Sequence, residues 1–221
     1  CVFKILAFIR IYSMEPTIQK VKRLYLLFVF LTGCSVAVCQ DLIIPEPALQ
    51  SAIARSLRVR EQDLSKSLVE KSLTRLQAND LGIRDLSGLE YAKNLESLVV
   101  RDNLIDDLSP IQKLSKLNNL DLSGNRLKDL SSLVAYPDLS VSGAQSTVDH
   151  SALRILNLSR NRLLGLSGIE HFRSLAQLDV SENSLIDLEG VGKLNELVNL
   201  YAQGNQLGRI ESFVDKNRNK E

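Results

Sequence analysis

The chain has no tryptophan, one methionine, two histidines and three cysteines in 221 residues, and aromatics make up only 5%. Its cysteines are Cys1, Cys34 and Cys39, so nothing after residue 39 can form a disulfide framework. Any fold beyond that point must be held by packing. The histidines, His150 and His171, lie apart, and no paired-histidine spacing, cysteine cluster or glycine-rich phosphate loop is present. The usual metal and nucleotide motifs are therefore missing, and neither a metal nor a cofactor is expected. Charge of one sign is lacking too. A formal net charge of +1 gives no global attraction to nucleic acid, so nucleic acid is not an expected partner. Hydrophobic residues reach 44%, enough for a buried core.

The charge is unevenly spread. Residues 1–33 hold five Lys/Arg and one acid, leaving 22 basic and 25 acidic side chains in the rest. We expect residues 1–13 to be an upstream extension, with the natural start at Met14. Residues 14–33 then read as a signal peptide: Lys20, Lys22 and Arg23 precede the apolar run 24–31. The string Leu31-Thr32-Gly33-Cys34 resembles the bacterial lipobox, which implies lipidation of Cys34 and a lipid-anchored envelope protein. Two alternatives stand beside it. A cut after Ala37-Val38-Cys39 would release a secreted or periplasmic protein beginning at Gln40. An uncleaved anchor is disfavoured, because residues 24–39 fall short of the ~20 that a spanning helix needs.

From Leu73 the chain repeats every 22 residues, with units starting at Leu73, Leu95, Leu117, Leu153, Leu175 and Leu197. Fourteen extra residues, 139–152, interrupt the period once. Apolar residues recur at positions 1, 4, 6, 11, 14, 17 and usually 20 of each unit, and position 4 is leucine in all six. Position 9 is Asn103, Asn125, Asn161, Asn183 and Asn205, with Leu81 in the first unit. Alternation at positions 4 and 6 predicts a short strand. The asparagine then turns the chain and pairs backbone groups that would otherwise be buried alone, so this ladder is structural. Spacing of three over positions 11 to 20 predicts a 3₁₀ segment. No unit buries its inner face alone, so neighbours must stack.

These motifs resemble the leucine-rich-repeat family in its 22-residue, internalin-like form, over residues 44–213, about three quarters of the chain. The resemblance implies an α/β solenoid, a short horseshoe with parallel strands on the concave face and 3₁₀ turns on the convex face. It also implies a helical cap over 45–72, after a linker at 34–44, ahead of repeats at 73–214. Leu49, Ile53 and Leu57 give that cap one apolar helical face, opened by proline, and a second weaker helix is expected over 64–69. The departure is at the other end. Position 20 of the sixth unit is Lys216, and a polar tail at 215–221 stands where internalins continue into an immunoglobulin-like segment. The family's invasion role is therefore not carried over.

No catalytic constellation is legible, and an enzyme is not expected. His150 beside Asp149 and Ser151 forms no triad by sequence adjacency, and His171 falls on the convex side. Recurrent aspartates at position 13 (Asp85, Asp107, Asp129, Asp187) come one per repeat, too few for the six to eight oxygens of calcium. Binding is the remaining chemistry. Positions 3, 5 and 7 face outward on the strands, and the candidate ligand-binding residues are Arg75, Gln77, Val99, Arg101, Asn119, Asp121, Asn157, Asp179, Asn199 and Tyr201. With one tyrosine, two arginines and no tryptophan, this face predicts polar recognition of a peptide or glycan better than tight docking. The reading is an exported, non-catalytic module for protein or surface-polymer contacts. The alternative is an intracellular scaffold, since 22-residue repeats also occur in phosphatase regulators.

Overall fold

The computed structural model describes residues 42, 44–134 and 151–208. The signal segment with Cys34, His150 with most of the 139–152 insertion, and the 215–221 tail lie outside the described residues. No helix among the described residues is long and apolar enough to cross a membrane.

Two helices come first. Helix α1 (Pro47–Leu57) has proline in its first turn, where a missing N–H leaves no hydrogen bond unmade. Glu46, extended, stands at its N-cap. Arg58 ends it in the left-handed conformation, its N–H reaching the Ala54 and Arg55 carbonyls. Leu49 and Ile53 are fully buried, while Leu57 is half-buried against the same core. Helix α2 (Lys66–Ser72) begins where the Ser65 hydroxyl accepts the Leu68 N–H at 3.2 Å, and it runs three residues beyond the predicted 69.

Six parallel three-residue strands follow in chain order, making one sheet: β1 (Arg75–Gln77), β2 (Ser97–Val99), β3 (Asn119–Asp121), β4 (Ile155–Asn157), β5 (Gln177–Asp179) and β6 (Asn199–Tyr201). The register aligns Leu76, Leu98, Leu120, Leu156, Leu178 and Leu200 side by side. Leu120 stands opposite Leu156, so the 14 extra residues leave the ladder unshifted. This is a leucine-rich-repeat solenoid: strand, turn, short 3₁₀ turn and return. The 3₁₀ turns are brief (Leu89–Tyr91, Ser109–Ile111, Ile169–His171, Val191–Lys193) and do not fill the whole half-repeat. The fold closes on a single continuous core running from Leu49 to Leu194 through the apolar repeat positions.

Position 8 of every unit is left-handed, through Asp80, Asp102, Gly124, Arg160, Glu182 and Gly204. This bend ends each strand, and the asparagine that follows then turns inward. Asn125 shows the pattern: its Oδ1 accepts the Ile105 N–H at 3.1 Å, and its Nδ2 donates to the Val100 and Leu122 carbonyls at 2.9 Å. Asn103, Asn161, Asn183 and Asn205 bond in the same way to the unit before them. The first unit has no predecessor to bond, which accounts for Leu81 in its place.

Candidate binding face

The sheet presents positions 3, 5 and 7, but unequally. In β1 and β6 both flanking residues of the central leucine are exposed, whereas Val99 and Asp121 are only 8% and 5% exposed. The alternation that predicts ten presented side chains overstates the middle of the face. Neighbouring strands crowd there, and the polar side chains pair with one another.

That pairing is regular. Asp121 Oδ1 accepts from the Ser123 N–H at 3.1 Å and its hydroxyl at 2.7 Å. Asn157 does the same with Ser159, at 3.0 and 2.8 Å, and Asp179 with Ser181, at 2.9 and 2.6 Å. Across strands, Arg101 Nε donates to Asp121 Oδ2 at 2.7 Å, and Asn119 Nδ2 reaches the Ser97 hydroxyl at 3.3 Å. Asp121 is thus satisfied from two sides, which is what a buried carboxylate requires. Around Asp121 the face is a closed polar network.

The two ends are open. The Arg75 guanidinium and the side chains of Gln77, Asn199 and Tyr201 are exposed and have no hydrogen-bond or ion-pair partner among the described residues. Beside β1 lies a hollow of about 720 Å³, walled by Arg75, Gln77, Glu96, Lys116, Asn118 and Ile155 among others. A smaller one, about 440 Å³, is lined by Ala52, Arg55, Ser56, Arg75 and Gln77 where α1 meets the sheet. Sequence reasoning found Arg75 and Gln77 but missed Arg55, Ser56, Glu96 and Lys116. The spacing of 52, 55 and 56 marks one helical face, yet nothing in the repeat says that this face meets β1.

The position-13 aspartates are spent locally. Asp85 and Asp187 accept the N–H two residues on, and Asp107 accepts both the N–H and the hydroxyl of Ser109. Asp129 does so with Ser131, and these bonds, the hydroxyl's first, hold its carboxyl below the ordinary value. Among the described residues no three His, Cys, Asp or Glu side chains gather in a metal-ligand group. His171 is exposed at the end of its 3₁₀ turn, with Nδ1 3.0 Å from the Gly168 carbonyl.

Repeat length, register and asparagine ladder coincide in the second and third units, and the family comparison falls there. Residues 93–135 match the family model for leucine-rich repeats, in two copies. No curated protein sequence matches the chain. Among solved structures, an internalin of Listeria monocytogenes is similar at 23% identity, with a TM-score of 0.43, over 75% of this chain and 58% of its own. Internalin C2 of the same bacterium is similar at 22% identity and a TM-score of 0.41, over 80% of this chain and 93% of its own. A receptor-kinase leucine-rich-repeat ectodomain of Arabidopsis thaliana is similar at 21% identity and a TM-score of 0.45, over 73% and 93%. The chain thus spans under two thirds of the first internalin and most of the other two.

Proposed function

We propose that this leucine-rich-repeat solenoid is an exported, non-catalytic binding module, lipid-anchored through Cys34 to a bacterial envelope, and that its concave face holds a protein partner. Leucine-rich repeats are typically protein-interaction modules. The observation that carries the binding reading is the pairing pattern on the sheet. Around Asp121 the face is closed by its own hydrogen bonds, while Arg75, Gln77, Asn199 and Tyr201 at the two ends are exposed and have no side-chain partner among the described residues. Arginine and tyrosine are the residue types that anchor interfaces. The anchor reading is supported by Leu31-Thr32-Gly33-Cys34 alone.

Each half has its own test. A photo-crosslinking residue at Gln77 or Tyr201 should capture one discrete partner from cell envelopes, and the same residue at convex Lys113 should not. Equal capture from both faces overturns the concave reading. For the anchor, cells expressing the protein from Met14 are fed an alkyne-tagged fatty acid. Label on the wild type and none on Cys34→Ala is expected, and an unlabelled wild type removes the lipid anchor.

A further inference from the structure

We infer that the cleft between α1 and β1 receives a carboxylate of the partner, so that the bound segment is an acidic peptide. This rests on the reading of the concave face as the partner surface and names the chemistry at one end of it. The cleft is about 440 Å³ and is lined by Ala52, Arg55, Ser56, Arg75 and Gln77. Two guanidiniums and a neutral amide converge on it, and no acid is in its wall. Both arginines are exposed, and neither forms an ion pair among the described residues. Arg55 Nε makes one 3.4 Å bond, to the Ser51 carbonyl of its own helix. Elsewhere on the face the cations are already matched: Arg101 holds Asp121, and on the flank Arg154 holds Glu196 and Arg160 holds Asp102. Among the described residues of this face, the cations left without an acid therefore lie at this corner.

The geometry favours a monoanion. A planar guanidinium binds a carboxylate in a two-point fork, and Gln77 adds a donor beside it. Arg55 and Ser56 lie in the last turn of α1, where the negative end of the helix dipole opposes any anion, and a dianion such as phosphate more than a carboxylate. The Ser56 hydroxyl is not free to add to the site, because it donates to the Arg75 carbonyl at 2.7 Å. That bond instead ties the end of the helix to the strand. Arg55 also lines a neighbouring hollow with Glu61, whose carboxylate accepts from the Ser51 hydroxyl. The larger hollow beyond Arg75 continues the site along the strand ends. Its Lys116 and Glu96 are of opposite sign, so the selective charge stays in the smaller cleft.

The test uses the full chain and fluorescein-labelled hexaglutamate, with hexaglutamine and a phosphoserine hexapeptide as comparators, read by anisotropy at low and high salt. Hexaglutamate should bind, weaken with salt, and exceed both comparators. Arg75→Gln and Arg55→Gln should each weaken binding by about tenfold, the loss of one charge-assisted bond. Lys128→Gln, an exposed cation on the other half of its repeat, should leave binding unchanged. Gln77→Glu, which places a carboxylate inside the cleft, should also weaken it and serves if an arginine variant fails to fold. Absence of hexaglutamate binding overturns the inference, as does equal loss in Lys128→Gln or preference for the phosphopeptide. If crosslinking from Gln77 and Tyr201 persists while hexaglutamate fails, the acidic-peptide inference falls alone. If both fail, the concave reading falls with it.

Discussion

The two ends of the sheet are built from the same repeat yet are finished differently. At β1, Leu76 is 1% exposed, because α1 packs on that edge and Leu49 and Ile53 close the core. At β6 the equivalent Leu200 is 38% exposed, and Val198 beside it is 79% exposed. A leucine contributes to a repeat protein only as far as both neighbours cover it, so identical residues at identical positions differ in worth. The same contrast shapes the binding face. Asp121, Asn157 and Asp179 in the middle strands pair with the serines two residues on, whereas Arg75, Gln77, Asn199 and Tyr201 at β1 and β6 are exposed and without a side-chain partner among the described residues.

The sharpest way to break this comparison is to truncate the leucines. Leu98→Ala should destabilise by about 2–5 kcal/mol in urea unfolding, and Leu200→Ala by less than about half of that. Equal losses would show that β6 is as well covered as β2. The asparagine ladder offers the next test. Asn125→Ala strands the buried Ile105 N–H and Val100 carbonyl, at about 1–3 kcal/mol for each group. Asn205 is only half-buried, so water can replace it and Asn205→Ala should be the milder change. Similar midpoints for the two variants would refute that gradient.

A smaller effect is expected from two glycines with φ of +68°. Gly82→Ala meets nothing within 4 Å and should lose about 1 kcal/mol to left-handed strain alone. Gly124→Ala has the same strain but also runs into the Asp102 carboxylate, which arches over it to reach Arg160 at 3.1 Å. It should be roughly 1 kcal/mol worse, and in the Asp102→Ala background most of that excess should be relieved, leaving only the contact with the Asp102 Cα at 3.2 Å. The smallest effect is in acid. Asp129 has a depressed folded-state pKa, so its contribution is present above the ordinary carboxylate value and is lost as pH falls through the depressed one. Because the group is largely exposed, Asp129→Ala should flatten the stability profile below about pH 4 by only roughly a few tenths of a kcal/mol. An unchanged acid limb would show that the Ser131 bonds carry no net stability.

Much of the fold was legible, for a physical reason. A 22-residue period with leucine at position 4 leaves one way to bury six faces, so strand register and asparagine bonding follow from spacing. The site was less legible. Asp121 and Asp179 read as presented acids, yet each is tied to the serine two residues on, a pairing visible in the Asp-x-Ser spacing once its geometry is known. Val99 reads as exposed by alternation and is covered, because alternation assigns a face but not the crowding on it.

By itself the amino-acid sequence determined the repeat, its strand register across the insertion, the structural asparagines and the helix that opens at proline. These depend on local periodicity, which a linear pattern records in full. Only the tertiary structure decided which exposed positions are already partnered and how α1 meets β1, bringing Arg55 beside Arg75. That pairing joins residues 20 apart on two different kinds of element, and no period relates a helix face to a strand face. Their meeting is set by how Leu49 and Ile53 seat on the sheet's edge.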